Sequence, residues 1–161
     1  GVLKSGKIDD RINFLKELSE KTPDVKFDLY GINKVQPIWA DHYFKTISNA
    51  KMGLNLSRGD AIKYYSSDRI TQIVGNGLVC LIDEKTEYRD FSDNNEMVFY
   101  KNVNDLSEKI LKISRDEKLR KLIGKKGKKK YMKYFNSTLV ADYIINKTLG
   151  RDSKKRYLWH G

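Results

Sequence analysis

Residues 78–82, LVCLI, are apolar at every position, follow two glycines (Gly75 and Gly77) and end on Asp83. A strand with no polar alternation has no face for water. It must lie inside a sheet covered on both sides, which in globular proteins is a parallel sheet packed between helices. Five residues are far too few to cross a bilayer. The rest of the chain supplies matching pieces. Ile8, Ile12, Leu15 and Leu18 recur at helical spacing up to a stop at Pro23. VKFDLYG (25–31) alternates Val25, Phe27 and Leu29 against Lys26, Asp28 and Tyr30, predicting a strand that enters a loop at Gly31. Pro37 opens a second helix carrying Ile38, Phe44 and Ile47, and KMGLNLS (51–57) reads as the next strand. A helix over the segment after Ser67 precedes LVCLI, and EMVFY (96–100) follows as a short strand. Three helices then cover about 103–114, 116–134 and 138–149, with Asn102, Ser114 and Ser137 as expected caps and Gly150 as the final stop.

Strands joined by helices make right-handed crossovers. The expected fold is therefore α/β, a Rossmann-like parallel sheet with helices on both faces. One domain over residues 1–150 is expected, with 151–161 (RDSKKRYLWHG) as a basic, aromatic tail. Such sheets bind ligands beyond the carboxyl ends of their strands. That directs attention to residues 31–36, 57–67 and 83–87.

The chain carries a formal charge of +11, much of it in KLRKLIGKKGKKKYMK (118–133). This segment also places Leu119, Leu122, Ile123 and Tyr131 at helical spacing, so its charge reads first as the solvated face of an amphipathic helix. Attraction to an anionic membrane surface or to an acidic neighbour is the other reading. A single cysteine, Cys80, lies inside the apolar run; it excludes a disulfide framework and reads as a buried thiol. With no charged-then-apolar leader recognised, the expected location is cytoplasmic, with membrane-peripheral association as one use of the charge. No metal-spaced Cys/His cluster and no G-x-G-x-x-G fingerprint is present, and His42 has no second ligand at metal spacing.

The segment SSDRITQIVGNG (66–77) holds the most chemistry. Ser66 and Ser67 precede Asp68 and Arg69, so a helix begins where the sheet meets its ligand. Free N–H groups and the positive end of the helix dipole make that mouth an anion site. Arg69 adds a forked donor suited to phosphate, and Gln72 lies one turn further on. Arg58 and Lys63, in the preceding loop, are candidate diphosphate neutralisers. The same segment can be read as a helix-turn-helix with its turn at 74–77, but LVCLI is too continuous for a recognition helix and the basic residues lie some fifty positions away, so nucleic acid is not the expected partner.

From Ser67 to Tyr131, and in YFKTISNAKMGLNLSR (43–58) and DDRINFLKEL (9–18), the chain resembles the C-terminal, nucleotide-sugar-binding lobe of GT-B group 1 glycosyltransferases, in the branch of spore-maturation-type enzymes. The resemblance spans about residues 6–149. Arg69, Gln72, the strand from Gly77 to Asp83, the turn from Tyr88 to Phe91 and the helix from Asp105 to Ile110 match that branch in order and spacing. It implies a lobe that holds a nucleoside diphosphate sugar, with no separate cofactor, for transfer to an acceptor on an N-terminal lobe. By that resemblance Ser66, Ser67, Arg69, Arg58 and Lys63 face the diphosphate, Gln72 faces the ribose, and Ile32 and Val35 flank the base. Arg11 matches an arginine of the family's first helix, and Lys4 and Lys7 a basic position after its first strand. Only GVLK (1–4) is available for that strand, so a fragment, inactive without its acceptor lobe, is expected. Relatives carry two glutamates eight positions apart; here Tyr64 and Gln72 occupy those places. Gln72 can hydrogen-bond a sugar hydroxyl but cannot act as a carboxylate. A working enzyme with altered donor geometry and a non-catalytic binding module both follow from that departure.

Overall fold

The computed structural model describes residues 10–32, 34–57, 59–65, 67–151 and 157–159. Among the described residues six α-helices and three strands follow in the order α1 (Asp10–Lys21), α2 (Ala40–Asn49), β1 (Met52–Asn55), α3 (Asp68–Gly75), β2 (Val79–Asp83), β3 (Val98–Tyr100), α4 (Val103–Arg115), α5 (Glu117–Tyr134) and α6 (Ser137–Thr148). The strands form one parallel sheet in the order β1-β2-β3, with Met52 opposite Val79 and Leu81 opposite Val98. The apolar run is therefore the middle strand. Its residues 79–82 are all buried because both faces are covered, as an uninterrupted apolar strand requires.

Alternate residues feed two cores. Val79, Leu81, Val98 and Tyr100 pack with Leu18 of α1 and with Leu106, Ile110 and Ile113 of α4. Cys80, Ile82 and Phe99 face the other way, onto Ile70, Ile73 and Val74 of α3. Each fully buried branched side chain contributes about 1.5–3 kcal/mol, so a polar residue at Leu81 or Ile82 would break a whole layer. Burial pushes the Cys80 thiol up to about 12, which leaves it unreactive.

Helix α5 crosses the amino ends of β2 and β3. Isoleucine and glycine face inward, and lysines face out: Ile123, Gly124 and Gly127 are buried while Lys121, Lys125, Lys126, Lys128 and Lys129 are exposed. The approach is close. A methyl group on Gly124 would lie 2.1 Å from the Gly77 carbonyl oxygen, and one on Gly127 would lie 2.4 Å from that of Glu96. Lys130 adds a 2.7 Å ion pair to Glu96. Beyond α6, Tyr157 is buried and donates to Asp142, and Trp159 stacks near Phe135 and Tyr143.

Four expectations need correction. The second helix begins at Ala40, not Pro37, so Ile38 lies before it. Residues 25–30 form no strand: their exposure alternates as the pattern implies, but no described strand lies beside them to complete a ladder. Ser114 does not cap α5, because it still belongs to α4 and its hydroxyl bonds back to Leu111; Asp116 caps instead, accepting from the Leu119 N–H at 2.9 Å. Asn136, one position before the expected Ser137, caps α6 through the Leu139 N–H. Asn102 caps α4 as expected, and Gly150, at φ +63°, follows the end of α6.

Candidate functional site

The carboxyl ends of the strands meet three polar loops, 56–67 after β1, 84–97 after β2 and 101–102 after β3. The first two are tied together. The Tyr64 N–H bonds the Thr86 carbonyl at 2.9 Å, the Tyr64 hydroxyl donates to Asp90, and Lys63 pairs with Glu87 while lying 4.8 Å from the Tyr64 ring centre. The bond to Asp90 raises the Tyr64 hydroxyl above its ordinary value, and the bond to Glu87 does the same for Lys63. Tyr64 holds φ at +57° and Glu87 at +54°, left-handed conformations that a side chain rarely adopts without such contacts.

On the other side of the site, Ser67 is the N-cap residue of α3, but its hydroxyl does not cap the helix. It donates instead to Oδ1 of Asn55, the last residue of β1, at 2.9 Å. Nη1 of Arg69 donates to the Leu56 carbonyl at 2.9 Å and approaches the same Asn55 oxygen at 3.5 Å. Asn55 is 2% exposed and its Nδ2 has no partner among the described residues. It is the post to which the α3 mouth is fastened. Because the Ser67 hydroxyl is committed to Asn55, the first-turn amides of α3 have no side-chain cap, and an oxyanion there would meet N–H donors and the positive dipole end. Among the described residues, Asp68, exposed in the first turn, is the side chain there that complements the dipole.

Ser67 and Arg69 thus converge on one point. Gln72 lies half-buried one turn along the same helix, and its carbonyl accepts from Asn76. Lys63 is drawn away to Glu87. Ile32, half-buried, lines the same groove as Arg69, while Val35 is exposed on a turn closed by the Gly31 N–H to the Val35 carbonyl at 3.0 Å. Arg11 lines that groove further along, and His42 is exposed with its ring 6.4 Å from that of Tyr30. Ser66, Arg58, Lys4 and Lys7 lie outside the described residues. Among the described residues, no group of three His, Cys, Asp or Glu side chains is placed to hold a metal ion, and no helix is long and apolar enough to cross a membrane.

Reading the sequence passes over Asn55, which shows there only as part of an Asn-Leu-Ser triplet. The available signal is a lone polar side chain at the carboxyl end of an apolar strand, just before a serine-rich loop. Trp39 is passed over as well; it precedes α2 and is 70% exposed, a large uncommitted ring.

No curated protein and no solved structure gives a significant match to this chain. A family model described as glycosyl transferase-like matches residues 11–146, which include β1, β2, β3 and the whole α3 mouth. The chain belongs to the glycosyl transferase-like family.

Proposed function

We propose that this chain is the donor-binding lobe of a GT-B glycosyltransferase of the spore-maturation-type branch, and that it holds a nucleoside diphosphate sugar at the mouth of α3. The observation that carries the reading is the Asn55 junction. It places an uncapped helix N-terminus and a guanidinium at the carboxyl end of the sheet, where a diphosphate would meet both. Among the described residues only Nη1 of Arg69 is engaged, which leaves its other N–H groups for phosphate oxygens. Gln72 then offers an amide to a sugar hydroxyl, and Ile32 and Val35 present apolar surface to the base. Transfer itself requires an acceptor held by a second lobe, and this chain's part is to bind and orient the donor.

A binding-only module is the second reading, favoured by a specific observation: the Tyr64 hydroxyl is committed to Asp90 and Gln72 is neutral, so no carboxylate pair flanks the mouth. Calorimetric titration with UDP, GDP, ADP, CDP and dTDP tests donor binding, and Arg69→Ala is expected to weaken it by about 1.5–3 kcal/mol, the value of a charge-assisted bond. Unchanged affinity in Arg69→Ala removes that residue from the site. Sugar transfer by the unsubstituted chain, once the acceptor lobe is supplied, favours the enzyme, and transfer that appears only in Gln72→Glu favours the module.

A further inference from the structure

Helix α6 has its two sides reversed. Asp142, Tyr143 and Asn146, three and four positions apart, are half-buried on the side that meets Tyr157 and Trp159. Val140 and Ile144, Ile145 and Leu149 recur four apart on the opposite side, and all four are exposed, Ile144 at 56% and Ile145 at 53%. A surface helix ordinarily does the opposite, burying its aliphatic stripe and turning its polar one to water. Helix α5 packs on the same aromatic cluster: Tyr131 stacks on Phe135 with ring centres 5.2 Å apart, and Phe135 lies 5.5 Å from Trp159. Asn136, the α6 cap, also donates to the Met132 carbonyl at 2.9 Å and so ties the two helices end to end. Their outer sides both turn away from that cluster. On α5 the outer side carries exposed Lys118, Lys121, Lys125 and Lys129, with exposed Leu122 among them. From Lys118 to Thr148 the sequence holds ten lysines and arginines and one acid, Asp142, which accepts from the Tyr157 hydroxyl on the inner side.

We propose that the outer sides of α5 and α6 form a docking surface for an anionic lipid bilayer. Helix α6 lies along the surface with its aliphatic side entering the boundary between headgroups and acyl chains, and the lysines of α5 meet the lipid phosphates. Charge and apolarity together select this occupant. A second copy would bring +11 against +11, which opposes association. Nucleic acid matches the lysines but offers no apolar surface to four branched aliphatic side chains. A bilayer rich in negative headgroups supplies both partners at once. No described helix is long and apolar enough to cross it, so the contact is one of lying on the surface. These residues are not those of the α3 mouth, so vesicle binding and nucleotide binding can fail separately.

The test is cosedimentation of the chain with vesicles of phosphatidylcholine alone and of phosphatidylcholine containing about one third phosphatidylglycerol, at two salt concentrations. Binding to the anionic vesicles is expected to be at least about tenfold tighter. Ile144→Ser combined with Ile145→Ser should weaken it at least about tenfold, because two side chains no longer leave water. Lys125→Gln combined with Lys129→Gln should weaken it about tenfold and reduce its salt dependence. All four positions are exposed, and an unchanged circular dichroism spectrum checks that α6 still forms. As a variant that gains rather than loses, Ile144→Trp should bind at least as tightly and show a blue shift in emission on vesicle addition larger than that of the unsubstituted chain. Absence of binding to the anionic vesicles overturns the proposal and leaves the face to an acidic protein neighbour. Binding that the lysine changes abolish and the isoleucine changes leave intact is charge attraction alone and overturns it as well. Self-association in solution that the isoleucine changes abolish places a second copy on the face, with the same consequence.

Discussion

The two ends of the sheet are built on opposite plans. At the amino ends, α5 is pressed against backbone at Gly124 and Gly127, and apart from Lys130, which pairs with Glu96, its lysines face solvent. At the carboxyl ends the contacts are polar and carried by side chains: Ser67 and Arg69 on Asn55, Tyr64 on Asp90, Lys63 on Glu87. Nine of the chain's 32 lysines and arginines lie in α5, so the greater charge is at the end where polar contacts are few. Net charge draws anions in general, whereas fixed donors at a helix mouth select one geometry. By that criterion the carboxyl end is the proposed binding end, and the amino end is a stabilising seam with a basic surface.

The seam should be the less forgiving of change. Gly124→Ala puts a methyl group 2.1 Å from a backbone oxygen that cannot turn aside, and it should cost about 3 kcal/mol in urea unfolding. A cost below about 1 kcal/mol would mean that α5 is free to move off the strands. Asn55→Ala should be the largest loss at the other end. It strips the acceptor from the Ser67 hydroxyl and loosens Arg69, for about 1–2 kcal/mol of stability together with weaker nucleotide binding. Stability lost with affinity intact would separate the post from the site.

Smaller effects sharpen the comparison. Tyr64→Phe removes the bond to Asp90 and should cost about 0.5–1 kcal/mol, read by urea unfolding, with faster proteolysis of the 59–65 loop as a local signature. The smallest concerns pH. Partial burial disfavours the charged form of Asp105, but its bonds from the Lys109 ammonium and the Lys101 N–H outweigh that and hold the carboxyl below its ordinary value. Its contribution is therefore full above the unfolded value near 3.8 and fades as pH falls through the lower, folded one. Asp105→Asn should flatten the acid limb of the stability curve and leave the curve's shape above pH 5 unaltered.

The layered fold was legible because burial leaves a period: LVCLI can only be a two-faced strand, and α4 shows its buried stripe at Leu106, Ile110 and Ile113. Residues 25–30 show the limit of that reasoning. Alternation predicts extended backbone but not a neighbour to pair with, and a strand needs both. Cap identity slipped for a related reason, since Ser114 and Asp116 are both competent caps and only the true end of α4 decides between them. Within the site, Ser67, Arg69 and Gln72 were legible as a helix mouth because they are local in sequence. Asn55 was not: its role comes from β1 and α3 meeting in space, twelve and fourteen residues apart in the chain. The Lys63 to Glu87 pairing escaped for the same reason, so Lys63 is less available to a ligand than its loop position suggests.

The most direct test of the contrast between the two ends is an amide NMR titration of the chain with the five nucleoside diphosphates at two salt concentrations. The account predicts that one nucleotide moves the resonances of residues 67–70 and of Ile32, with little loss at the higher salt, while α5 stays still. Shifts confined to the lysines of α5, fading steeply as salt rises, would show that the chain attracts anions by charge alone and would contradict a built donor site at the α3 mouth.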